Sequence, residues 1–238
     1  MSIWSHISTL LQSLAVGEAL SALFKRLKTP PEKRVGFTIA AIGLSAKMAK
    51  ADGIVTQKER IAFKAIFTIP PRDEKHVDYI FSLAQKDIAG FDMYAKKIAK
   101  MLSKNPTLLE NLIEGLLYIS IADGVFHPNE EKFIDRVATI FKIPTYKLTI
   151  LKARYIPHLQ NNPFLILGLN SDSKFSEVKK QWQKLVQESH PDNMIAQGLP
   201  QEAINLATSR LIAINEAWET INKSIAKNTS FSHFTILF

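Results

Sequence analysis

Apolar residues recur at helical spacing along nearly the whole chain. Near its start they fall at Ile3, Ile7, Leu10, Leu14, Leu20, Leu23 and Leu27, close to one helical face. Gln12 and Glu18 interrupt that stretch, so 1–29 reads as an amphipathic packing helix rather than a membrane span or a secretory signal. Pro30 and Pro31 end it, because proline lacks an amide hydrogen and drives the preceding residue out of the helical region. Segment 35–50 is apolar nearly all round (Ile39, Ile42, Leu44, Met48), the pattern of a buried helix. Further helices are expected at 56–67, 72–88, 92–102, 106–121, 129–141 and 145–154. No strand with two-residue alternation stands out, apart from an ambiguous apolar run at 231–238. The expected fold class is all-α.

The pattern breaks at 154–163 and reads there as a linker. A short helix follows from Pro163, closed by Gly168. Ser171 or Ser173 is expected to cap a helix over 174–189, with Val178, Trp182, Leu185 and Val186 as its apolar stripe. Lys180 and Lys184 stand on the opposite face. His190-Pro191-Asp192 comes next, as a loop. A last helix beginning near Pro200 repeats Ala207, Leu211, Ile214, Trp218, Ile221 and Ile225 in alternating steps of four and three. That spacing suits antiparallel packing against the helix before the loop.

Composition narrows the picture. A chain of 238 residues with 46% hydrophobic content can bury one large core or two ordinary ones. The absence of cysteine excludes disulfides, thiol catalysis, zinc–thiolate sites and iron–sulfur clusters. The net charge is +8, yet residues 160–238 hold as many acidic as basic groups. The surplus therefore belongs to 1–159, where an anionic membrane surface or an acidic partner would meet it. Nucleic acid is not an expected partner, since basic and aromatic residues do not interleave and no run of five Lys/Arg occurs.

One element is duplicated. Ala51-Asp52-Gly53 recurs as Ala122-Asp123-Gly124, and Glu59 and Glu130 each follow their Asp by seven positions. Thr56 and Glu59 form a capping box in the first copy, and Pro128 stands at a first helical position in the second. Each copy reads as helix, Asp-Gly turn, helix: glycine permits a left-handed turn and Asp can accept its backbone N–H groups. Should the two hairpins pack about a pseudo-twofold axis, Asp52, Glu59, Asp123 and Glu130 would form a hard-cation site. They lack the ligand ladder of an EF-hand loop, and a structural turn and cap is the leading reading.

The duplicated motif resembles the TerB-like helical family, over about residues 30–155. That resemblance implies an α-helical bundle with an acidic face, sometimes proposed to bind a divalent ion; it does not imply an enzymatic activity. The later pattern is similar to the J domain of DnaJ-type co-chaperones: Leu167-Gly168-Leu169 ending a short helix, Val178-Lys179-Lys180 with Trp182 and Lys184-Leu185, His190-Pro191-Asp192, then Ile214-Asn215-Glu216-Ala217-Trp218. The domain order and Gly198-Leu199-Pro200 after the tripeptide resemble the DjlA group of that family. The expected organisation is an N-terminal helix (1–29), a TerB-like domain (30–155), a linker (156–160), a J domain (161–228) and an apolar tail (229–238).

The resemblance implies a partner rather than a reaction. His190, Pro191 and Asp192, with Lys179, Lys180 and Lys184, would dock on the ATPase domain of a DnaK-type chaperone, while the TerB-like domain selects location or client. A competing reading uses the duplicated turns as a metal-binding stress scaffold. No catalytic residue is expected, because no nucleophile accompanies His190. No cofactor is expected beyond the divalent cation of the competing reading. Trp182 replaces the family's usual tyrosine, while Gln183 and Asn193 stand where many members are basic, which implies weaker, more salt-sensitive docking. The implied location is the cytoplasm, with a peripheral position on the inner membrane's cytoplasmic face as the other option.

Overall fold

The computed structural model describes residues 3–13, 30–52, 57–67, 69–86, 90–157, 159–196 and 201–234. These form α1 (Ile3–Gln12), α2 (Pro30–Asp52), α3 (Gln57–Phe67), a 3-10 turn (Pro71–Asp73) leading into α4 (Glu74–Lys86), α5 (Phe91–Met101) and α6 (Pro106–Ser120). They continue with α7 (Pro128–Ile140), α8 (Thr145–Tyr155), α9 (Pro163–Ile166), α10 (Phe175–Ser189), α11 (Pro191–Ala196) and α12 (Gln201–Phe234). No strand occurs among the described residues, so the all-α reading stands. The ambiguous run is helical through Phe234, and its remainder, 235–238, lies outside the described residues. So do 14–29, the Gly53 turn with Thr56, and Gly198-Leu199-Pro200. No described helix is long and apolar enough to cross a membrane.

The apolar helix predicted at 35–50 is the axis of the first core. Val35, Phe37, Ile39, Ala40, Ile42, Leu44, Ala46 and Met48 of α2 are all buried, because α1, α4, α5, α6 and α7 surround it. Gly43 permits a close approach: any Cβ there would collide with the Tyr94 ring of α5.

The duplicated hairpins, α2–α3 and α6–α7, pack as a pair. The two first helices touch, and each also contacts the second helix of the other copy. In the second turn Gly124 has φ of +94°, and Asp123 Oδ1 accepts the Val125 N–H at 2.9 Å, as the sequence implied. Pro128 opens α7, with Glu130 Oε2 accepting the His127 N–H at 3.0 Å.

Three local expectations need correction. Arg154 does not begin a linker: α8 runs through Tyr155, and Arg154 is buried. Neither Ser171 nor Ser173 caps α10. Lys174 is its N-cap residue, and its backbone N–H donates to Glu177 Oε2 at 3.1 Å. The His-Pro-Asp segment is no open loop, because Pro191 is pre-set for a first helical turn and starts α11.

The least expected packing involves α12, which at 34 residues is about 50 Å long. Its first half buries Ala203, Ile204, Leu206 and Ala207 in the α2-centred core, against α3 and α6. Its second half buries Ile214, Ala217 and Ile221 in a separate, smaller core with Val178, Ile166 and Leu167. One helix thus belongs to both.

Glu202, at the start of α12, is buried and accepts the Thr38 hydroxyl of α2 at 3.0 Å through Oε1. Burial holds its carboxyl above the ordinary range, while its own backbone N–H and the Thr38 hydroxyl pull the other way. A folded value above the unfolded one favours folding when the carboxyl is protonated. The contribution is complete below the unfolded range, about pH 4.3, and fades as pH rises through the raised folded value. Wild type should therefore lose stability relative to Glu202→Gln across that interval. Thermal melting against pH checks this, and parallel profiles for the two proteins would refute it.

Candidate chaperone-docking site

The site is built on α9, α10, α11 and the second half of α12. Asn162 starts α9 by accepting the Leu165 N–H on its side chain at 3.1 Å. Gly168, at φ +74°, ends the segment and lets the Leu169 N–H reach the Phe164 carbonyl at 2.8 Å. The turn leaves Leu167 fully buried beneath α12.

The amphipathic stripe of α10 packs as expected. Val178 is fully buried, and Trp182, Leu185 and Val186 lie against the core residues of α12. Trp218 stacks between Trp182 (ring centroids 4.7 Å apart) and Phe175 (5.5 Å), and Trp182 Nε1 donates to Asn215 Oδ1 at 2.9 Å. Tryptophan thus keeps the aromatic packing and adds a hydrogen bond between the helices. On the far side Lys179, Lys180 and Lys184 are exposed, and the Lys184–Glu188 pair is open at 3.9 Å. Such a pair contributes little and leaves the ammonium available to a partner.

At the C-terminal end of this basic helix His190 turns the chain, and Pro191 begins α11. His190 caps the new helix: its Nδ1 accepts the Asp192 N–H at 3.2 Å. Its carbonyl accepts from the amides of Asn193 at 3.1 Å and Met194 at 3.3 Å. Asn193, which costs the face a positive charge, instead donates from Nδ2 to the Gln187 carbonyl at 2.6 Å and ties α11 back to α10. The His190 and Asp192 side chains are 49% and 84% exposed, so the tripeptide is held by its backbone and presents its polar ends outward. The structure places Lys179, Lys180 and Lys184 on α10, His190 at its C-cap, and Pro191 and Asp192 in the first turn of α11.

The predicted cation ligands do other work where their side chains are described. Glu130 is buried on its cap, Asp123 holds its turn, and Glu59 is buried and partnered. The Asp52 side chain lies outside the described residues. Among described residues, no three metal-binding side chains gather.

A buried ionic cluster joins the two cores, and the motifs do not announce it. Glu114 of α6 is fully buried and receives Arg210 of α12, whose Nε lies 3.0 and 2.9 Å from its two oxygens and whose Nη2 also bonds it. Arg210 Nη2 reaches Asn111 Oδ1 at 2.5 Å as well. Arg154 of α8 approaches Glu114 at 3.4 Å and donates from Nε to the Ile166 carbonyl of α9 at 3.4 Å. Burial pulls the Arg154 guanidinium down with Glu114 only partly offsetting it; at Arg210 burial acts the same way, but Glu114 outweighs it. The available signal was Asn111 and Glu114, three apart and flanked by Leu112, Ile113, Leu116 and Leu117, where a buried carboxylate calls for a cation.

Comparison with known proteins follows this geometry. Residues 38–153 match the family described as Tellurite resistance protein TerB. The Co-chaperone protein DjlA of Haemophilus ducreyi is 36% identical over 246 residues, covering 88% of this chain and 85% of that protein. Its namesake in Photobacterium profundum is 22% identical over 223 residues, 81% of this chain and 79% of the relative. The Coxiella burnetii Co-chaperone protein DjlA is 40% identical over 63 residues, only 26% of this chain and 23% of that protein. No solved structure matches. With a bundle matching TerB, a helix pair presenting His-Pro-Asp, and relatives alike along most of their length, the chain belongs to the DjlA co-chaperone family.

Proposed function

We propose that this protein docks on the ATPase domain of a DnaK-type chaperone and accelerates its ATP hydrolysis. The observation that carries the reading is the exposed His190-Pro191-Asp192 turn, fixed by its backbone at the end of a helix presenting Lys179, Lys180 and Lys184. Three exposed ammonium groups on the helix that leads to an exposed carboxylate make a polar surface that favours fast encounter over tight binding. Asp192 can accept a partner arginine, a charge-assisted bond with strict geometry. The TerB-like bundle serves as the module that selects location or client.

The test is single-turnover ATP hydrolysis by purified DnaK with and without this protein. The rate should rise on addition, and the gain should shrink as salt is raised, because exposed charges drive the encounter. An unchanged rate at low salt would sink the proposal.

A further inference from the structure

We infer that Met194 is a positioning residue for chaperone docking, and that the TerB-like bundle holds the His-Pro-Asp turn in its docking conformation through it. The inference rests on the docking reading above and adds a second role for the N-terminal domain. Met194 lies four residues after His190 and is 2% exposed. It joins the core centred on α2, not the small core beneath α10 and α12. Its own amide donates to the His190 carbonyl at 3.3 Å, so one residue is bonded to the tripeptide by its backbone and, on a helix packed against α12, buried by its side chain in the core that α12 shares with α2.

The floor it sits on is fixed independently. Where α12 passes beneath α11, it is held to the bundle by Thr38 to Glu202 at 3.0 Å, by Asn205 Nδ2 to the Ile66 carbonyl at 2.7 Å, and by Arg210 on Glu114. The neighbouring Ile195 is 60% exposed, so burial in α11 concentrates on Met194. A six-residue helix is too short to persist by itself and takes its order from such tertiary packing. Without the anchor, the turn would sample conformations in which His190 and Asp192 no longer face a partner together.

Population arithmetic gives the signature. If the docking-competent fraction falls to a tenth, apparent affinity falls about tenfold while the saturated effect is unchanged. Met194→Ser should therefore raise the concentration for half-maximal DnaK stimulation about tenfold with the same maximum. Met194→Ala should move it the same way by about threefold, and Met194→Leu, which refills the socket, should stay within about twofold. Amide exchange at Asn193 and Met194 should accelerate in the same order, with melting temperature recorded for each protein. Should Met194→Ser fail to fold, Met194→Ala decides. Wild-type half-saturation in a folded Met194→Ser or Met194→Ala protein overturns the inference, as does a lowered maximum at unchanged half-saturation. Wild-type protein that fails to stimulate DnaK overturns the docking reading itself, and this inference with it.

Discussion

Replacing Glu114 by Gln should destabilise the protein by about 3–5 kcal/mol, the cost of leaving a buried ion without its partner. Two guanidinium groups converge on this one carboxylate, and Arg154 and Arg210 are only 8% and 11% exposed. Neither can turn to water without opening a seam between the two cores. The substitution keeps the shape and one acceptor oxygen while removing the charge, so the loss reports electrostatics rather than a cavity. Urea denaturation should show a lower midpoint with an unchanged slope. Restoring balance is the companion measurement: Glu114→Met combined with Arg210→Met and Arg154→Met should recover a large part of the loss, because apolar residues can replace a complete buried ionic cluster nearly neutrally. A single-variant loss below about 1 kcal/mol would show that the cluster is solvated in solution.

His190→Gln should abolish DnaK stimulation while leaving the fold intact. The imidazole is half exposed, and its contact within the chain is the cap on Asp192. Losing an exposed contact costs about 0.5 kcal/mol or less, which moves the melting temperature by about 1–2 °C in a chain of this size. The functional loss should exceed tenfold, because glutamine matches neither the ring's shape nor its fixed acceptor. Stimulation within twofold of wild type would show that the helix face alone docks the chaperone. Lys179→Ala and Lys180→Ala would then be expected to remove it.

Helix positions and the exposure of the candidate docking residues were legible in the sequence because both rest on local rules. The stripe Val178, Trp182, Leu185 and Val186 sets the buried face of α10 through period alone, and that places Lys179, Lys180 and Lys184 outside. Gly168 and Gly124 occupy the left-handed turns that glycine punctuation implied. The joining of the two cores was not legible, because it is specified by pairs far apart in the chain. Thr38 meets Glu202, Ile66 meets Asn205, and Glu114 meets Arg210. No periodicity connects such positions, and Ala203, Leu206 and Ala207 carry the same apolar pattern whichever core they fill. Arg154 was misplaced for a similar reason: a charged residue before a proline-containing stretch resembles a linker until its counter-ion forty residues upstream is known.

The shared helix also governs the order in which this chain can complete itself during synthesis. The face offered by α3 and α6 is covered by residues 203–207, which are synthesised only after every other helix of the bundle. Until then the bundle carries an open apolar trough, and no N-terminal fragment ending before α12 can close it. Its filling also requires a closure spanning well over a hundred residues, the slow kind of contact in folding. A protein of a chaperone family is therefore, as a nascent chain, itself a bearer of unfinished hydrophobic surface.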